Sequence, residues 1–315
     1  MKKTLILLII LLNTYFGCAQ NIDDLQTFRK TSKFLKKNIN KEYTFKELFN
    51  REREIDEEDF SDFVTKMDIN NDGLTDLIVD AIGSLIIVIN KGQNKFKELK
   101  FRNRERGILQ NESELDTITK IGNEIIFVFE TEIQEFDNQE YPNIKIKENQ
   151  EALSYNSKTK EYEWTIRDVK FKIDSLTVKF GELVEYKNSK SKVNRIKEFH
   201  FSTSGCFGTC PVFEIKLDSE RNLEYNGKRF TNHSGLKSFR LNQTDYDNLI
   251  GLIEYTELKK LKNFYSVNWS DDQTGILKAI YVNGDVKEIQ DYGLQGTINL
   301  RAIYKKLFEI NENVK

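Results

Sequence analysis

From about residue 60 onward the apolar residues of this chain arrive in short clusters closed by turn-forming residues, and that rhythm fixes most of what it can fold into. Leu77-Ile78-Val79 and Leu85-Ile86-Ile87-Val88-Ile89 are runs the length of buried strands, the second closed by Asn90-Lys91-Gly92. Residues 96–101 alternate apolar with charged side chains, as a half-buried strand does. Residues 115–121 and 124–129 flank Gly122-Asn123, a two-residue hairpin signal. Further short strands are predicted around Ile144, Leu153, Trp164 and Val178. Ahead of this region, residues 22–55 are polar, with a loose apolar stripe of Leu25, Phe28, Phe34 and Leu35 that predicts short helices. Thr44-Phe45-Lys46-Glu47 is a capping box that starts the second of them, and 56–59 is a solvated acidic turn.

The polar stretch 187–194, KNSKSKVN, reads as a boundary. Beyond it, 196–201 predicts a strand, followed by a cysteine-containing turn and a second strand with Phe213, Ile215 and Leu217 on one face. Asn226-Gly227 predicts a type I′ hairpin between 223–225 and 228–230, and Asn283-Gly284 another. Thr244 with Asp247 is expected to cap a helix in which Tyr246, Leu249, Ile250 and Ile253 recur at helical spacing. A last helix presents Leu300, Ile303, Tyr304, Leu307 and Phe308. The expected class is α+β. A β-rich module with short leading helices spans 22–186, and an antiparallel sheet packed with two helices spans 195–312.

Residues 1–20, MKKTLILLIILLNTYFGCAQ, pair two lysines with an unbroken apolar run and small residues. The run is shorter than the ~20 residues a membrane-spanning helix needs, so it predicts a secretory signal peptide and export. Two outcomes stay open. Gly17 and Ala19 suit cleavage before Gln20, which gives a leader of 1–19. Gly17-Cys18 is similar to the end of a bacterial lipobox, which would end the leader at 17 and make Cys18 a lipid attachment site and sole membrane anchor. The expected location is the periplasm, the outer membrane as a lipoprotein, or the outside of the cell. With Lys+Arg 48 against Asp+Glu 50 there is no basic excess to drive nucleic-acid binding.

Residues 68–76, DINNDGLTD, carry the most specific chemical signal. Hard calcium takes six to eight oxygens, and a tight loop supplies them from alternate positions. The side chains of Asp68, Asn70, Asp72 and Asp76 would converge with the Leu74 carbonyl between them, and Gly73 would permit the turn because a Cβ there would obstruct the backbone. An EF-hand is excluded, since its bidentate Glu would fall at Val79. The D-x-N-x-D-G-x-x-D form running into an apolar strand, with Leu85 to Phe96 following, resembles the calcium loop of FG-GAP/VCBS-type repeats in a single copy. That resemblance implies a structural Ca²⁺ held by Asp68, Asn70, Asp72 and Asp76.

Cys206 and Cys210 are the cysteines left once the leader is gone, and an exported chain most economically pairs them as a disulfide. A redox dithiol is the second reading, although thioredoxin-type motifs are C-x-x-C at a helix start, whereas 212–217 alternates like a strand. The third is copper handling: C-x-x-x-C-P also resembles Sco-type chaperones, and two thiolates with His200 or His233 would suit Cu(I). The string Cys206-Phe207-Gly208-Thr209-Cys210-Pro211, with the segment through Asp291-Tyr292-Gly293, resembles a bacterial family of unknown function, number 6438, over about 195–312. The resemblance implies an exported domain and no activity.

There is no G-x-S-x-G elbow, H-E-x-x-H, P-loop or G-x-G-x-x-G. No catalytic residue is nominated. The expected role is binding or structural support in the cell envelope, with a protein or glycan partner, and the alternative is thiol-redox or copper chemistry at Cys206 and Cys210.

Overall fold

The computed structural model describes residues 21–49, 57–81, 84–102, 113–133, 143–188 and 194–314. The leader segment with Cys18, residue 56 and most of the polar stretch 187–194 lie outside them. The described chain is β-rich with several antiparallel sheets and few helices. Its contacts divide it into two compact units, Met1–Ser175 and Leu176–Lys315.

In the first unit, three short helices precede the strands: α1 (Phe28–Asn38), α2 (Phe45–Phe49) and α3 (Phe60–Phe63). The Thr27 side chain caps α1 by accepting from the Lys30 amide, and Thr44 Oγ1 accepts from the Glu47 amide as the capping box predicts. Strands β1 (Val64–Met67), β2 (Asp76–Ala81), β3 (Ser84–Asn90) and β4 (Phe96–Arg102) form an antiparallel meander in chain order. The meander and helices bury one apolar cluster in which Phe28 meets the rings of Phe49, Phe60 and Phe63 above Leu77, Val79, Ile86 and Val88. A second sheet holds β5 (Ser113–Ile121), β6 (Glu124–Glu132), β7 (Ile144–Asn156) and β8 (Glu161–Lys179) in the order β5-β6-β8-β7. Gly122, at φ +61°, makes the two-residue turn between β5 and β6.

The last residues of β8, from Leu176, fall in the second unit and pair with β9 (Glu182–Glu185) through a turn at Phe180 and Gly181. The rest of that unit comprises β10 (Ile196–Thr203), β11 (Val212–Asp218), β12 (Asn222–Arg229), β13 (Gly235–Arg240), α4 (Gln243–Thr256), β14 (Phe264–Ser266), β15 (Thr274–Tyr281), β16 (Val286–Tyr292) and α5 (Ile298–Asn313). Its seven-stranded sheet has the order β13-β12-β11-β10-β15-β16-β14. All pairs are antiparallel except β14 with β16, which departs from the wholly antiparallel sheet expected. One face, with Phe199, Phe201, Phe213, Ile215, Leu217 and Leu277, packs with Leu249 and Ile253 of α4 and Leu300, Ile303 and Leu307 of α5. Each such side chain contributes about 1.5–3 kcal/mol on burial.

Two local expectations are overturned here. Asn226-Gly227 makes no turn. β12 runs straight through it, with Phe213 opposite Gly227. A Cβ at Gly227 would come within 1.9 Å of the His233 carbonyl oxygen, so glycine is needed for a backbone crossing and not for a hairpin. The cap of α4 is Asn242, whose side chain accepts from the Asp245 amide at 2.9 Å, two residues ahead of the Thr244–Asp247 pair. Asn283-Gly284 does turn, with the Gly284 amide donating to the Tyr281 carbonyl and Gly284 at φ +87°.

Candidate functional site

The acidic loop connects β1 to β2, whose pairing brings Met67 opposite Asp76. Residues 68–75 have no ladder to satisfy them, so their amides turn to the Asx side chains. Asp68 accepts from the Asp72 amide at 3.1 Å and the Gly73 amide at 2.9 Å, and Asp72 from the Leu74 amide at 2.9 Å. Asn70 accepts from the Asp72 amide and donates to the Asp72 carboxylate at 2.9 Å. Asp76 closes the loop from beneath: it is fully buried and accepts from the Ile69 amide at 2.9 Å and the Asn90 amide at 2.8 Å. The Asn90 side chain donates to the Thr75 carbonyl and accepts from the Gly92 amide. Gly73 sits at φ +83° with no atom within 4 Å of a Cβ placed there, so conformation demands glycine and obstruction does not.

Burial pushes the Asp76 carboxyl above its ordinary value. The charges of Asp72 and Asp68 push the same way, against the two amides that favour the carboxylate. Asp68, Asp72 and Asp76 thus belong to one hydrogen-bonded loop. Their oxygens, with Asn70, are the hard donors calcium takes, and a carboxylate oxygen that accepts one amide keeps a second lone pair. Among the described residues no three His, Cys, Asp or Glu side chains are arranged as a metal-holding group.

The second singular feature is the turn between β10 and β11. The Cα atoms of Cys206 and Cys210 are 5.7 Å apart, within disulfide range. Phe207, between them, is 89% exposed. The flanks are held by Gln273, a buried side chain of the neighbouring connection: its Nε2 donates to the Ser204 carbonyl at 2.8 Å and the Pro211 carbonyl at 2.7 Å. Thr203 Oγ1 donates to the Pro211 carbonyl and accepts from the Phe213 amide. The Ser204 amide donates to the Thr274 carbonyl, the Thr274 amide returns a bond to Ser204 Oγ, and the Phe207 amide donates to the Asp271 carbonyl. Neither histidine joins the cysteines. His200 bonds Glu198 on the open face of β10, and the His233 ring lies 6.3 Å from that of Tyr225.

Gln273 gave no signal in the sequence, because a lone glutamine between two connections belongs to no motif. Asp291 was equally silent as a site: it is buried, and it accepts from the Gln295 and Gly296 amides ahead of α5. Burial raises its carboxyl. A Cβ at Gly296 would fall 2.7 Å from Asp291 Oδ2, so the two residues define that turn together.

Residues 197–311 match a family model described as a domain of unknown function, DUF6438. The match takes in the cysteine turn, Gln273 and Asp291, and leaves the acidic loop outside it. A search of curated proteins finds no match.

Proposed function

We propose that this is an exported cell-envelope protein whose work is binding or structural support and not catalysis, with a protein or glycan of the envelope as partner. The observation that carries the reading is the cysteine turn. Two thiols at bonding distance close an exposed connection whose carbonyls are already held by a buried amide, which suits a brace. A cross-link of this kind persists in an oxidising compartment, in keeping with the leader-like residues 1–20. The second brace is Ca²⁺ in the 68–76 loop, read as a single FG-GAP/VCBS-type loop, with Asp68, Asn70, Asp72, Asp76 and the Leu74 carbonyl as ligands. When bound, the ion would offset the mutual repulsion of three carboxylates.

The intact mass of the chain purified from cells under non-reducing conditions tests the export-and-brace reading. The expected species has lost residues 1–19, or 1–17 with an acylated Cys18, and is two hydrogens lighter than its reduced form. A product that keeps its leader and both thiols reduced overturns the proposal.

A further inference from the structure

In the second sheet, β7 is the edge strand, and the half of β8 from Glu161 to Arg167 pairs with it in the register Tyr155 to Tyr162 and Glu151 to Ile166. A two-stranded ribbon is marginal by itself and needs a covered apolar face. Alternation places Tyr162, Trp164, Ile166, Asp168, Lys170 and Lys172 on one side of β8. Tyr155 joins that side, its ring 5.3 Å from Tyr162. Ile144 and Ile146, opposite Lys172 and Lys170, extend it toward the base of the ribbon. The six large apolar side chains are all exposed, Trp164 at 73% and Ile166 at 71%.

We propose that this face packs against the same face of a second copy of the chain. Three observations select that occupant. The face is self-complementary: its outer half is aromatic, and its inner half pairs isoleucines with lysines. A two-fold axis lying between the faces, across the strands near position 167, sets Trp164 over Lys170, Tyr162 over Lys172 (itself paired to Asp174 of its own chain), Ile166 over Asp168 and Tyr155 over Ile144 of the other copy. Each ring then meets either a cation or an aliphatic side chain. The exposed parts of the six side chains come to roughly 700 Å² per chain, close to the ~800 Å² that each partner gives to a stable interface. Edge-to-edge pairing is disfavoured instead, because Lys145 and Lys147 on edge strand β7 are both ion-paired to the buried Glu130.

Sedimentation velocity on the full chain tests this. The expected result is a dimer that Trp164→Glu shifts to monomer, with Lys170→Glu plus Lys172→Glu weakening it roughly tenfold. Unchanged circular dichroism shows that the variants fold. As an independent readout, Ile166→Cys joined by a short bis-maleimide should yield covalent dimer, whereas Glu163→Cys on the opposite face should not. A wild type that stays monomeric to high micromolar concentration, or a dimer indifferent to Trp164→Glu, overturns the proposal. A monomer that instead pellets with phospholipid vesicles or insoluble glycan through Trp164 overturns it equally.

Discussion

The two singular connections of this protein are closed by opposite chemistry. In the first unit, the buried carboxylate of Asp76 accepts from the Ile69 amide of the loop 68–75 and from the Asn90 amide at the end of β3, while the Asp72, Gly73 and Leu74 amides end on Asp68, Asn70 and Asp72. In the second, the Ser204 and Pro211 carbonyls of the turn 204–211 end on a buried amide, Gln273, while the Ser204 and Phe207 amides donate to the Thr274 and Asp271 carbonyls. A carboxylate binds amides strongly, but it brings a charge that the charges of Asp72 and Asp68 oppose, and the proposed cation would relieve that repulsion. An amide adds no charge and leaves the turn electrostatically complete, so a covalent tie between its ends is the remaining way to stiffen it.

The sharpest way to break the contrast is to exchange the closing groups. Gln273→Glu sets a carboxylate against two carbonyls in a buried site, and stability to denaturant should fall by about 3–5 kcal/mol. Asp76→Asn keeps the shape but offers one acceptor where two amides need one each, and should cost about 2–3 kcal/mol in the same assay. Replacing Cys206 and Cys210 by serine removes a five-residue loop closure, worth about 2 kcal/mol in the unfolded-state model. A loss near zero would mean that the hydrogen bonds from Gln273, Thr203 and the Thr274 and Asp271 backbone hold the turn without the covalent tie. Calcium at ten times its dissociation constant should add about 1.4 kcal/mol by mass action, seen as a raised melting temperature. Asp72→Ala should abolish that rise, and identical melts in calcium and in chelator would remove the metal from the account.

The smallest effects are those of pH, and they differ in sign between the units. The Asp76 carboxyl is raised in the folded state, so its ionisation penalises folding at neutral pH, and the penalty is relieved as pH falls through the folded value. In calcium-free buffer the stability gap between wild type and Asp76→Asn should therefore widen on mild acidification. Glu257 is held below its ordinary value by Lys187 and Lys260. Its contribution is complete above the unfolded value and is lost as pH falls through the folded one, so the gap to Glu257→Gln should narrow.

Local pattern was legible where neighbours in sequence are neighbours in space. The runs at 77–79 and 85–89 became β2 and β3, and the stripe from Leu300 to Phe308 became the buried side of α5. The cysteine pair was legible for the same reason. Gly227 was misread because a glycine demanded by a crossing backbone looks, in one dimension, like a glycine demanded by a turn. Gln273 was invisible because its partners lie 69 and 62 residues away. The loop residues were recognisable as oxygen donors, but the role of Asp76 as a buried staple for the Ile69 and Asn90 amides depends on strand pairing that no motif records.

The hairpin of β8 and β9 carries a practical consequence. The Phe180 ring lies where any side chain on Gly251 would be, 2.5 Å from a Cβ placed there; Glu182 receives Lys305, and the Glu185 amide donates to buried Asn299. A fragment trimmed to the recognised family span would lose all three at once, uncovering a slot along α4 and stranding a polar group against α5. Expression trials should start such a fragment at Leu176, some twenty residues upstream of where alignment suggests cutting.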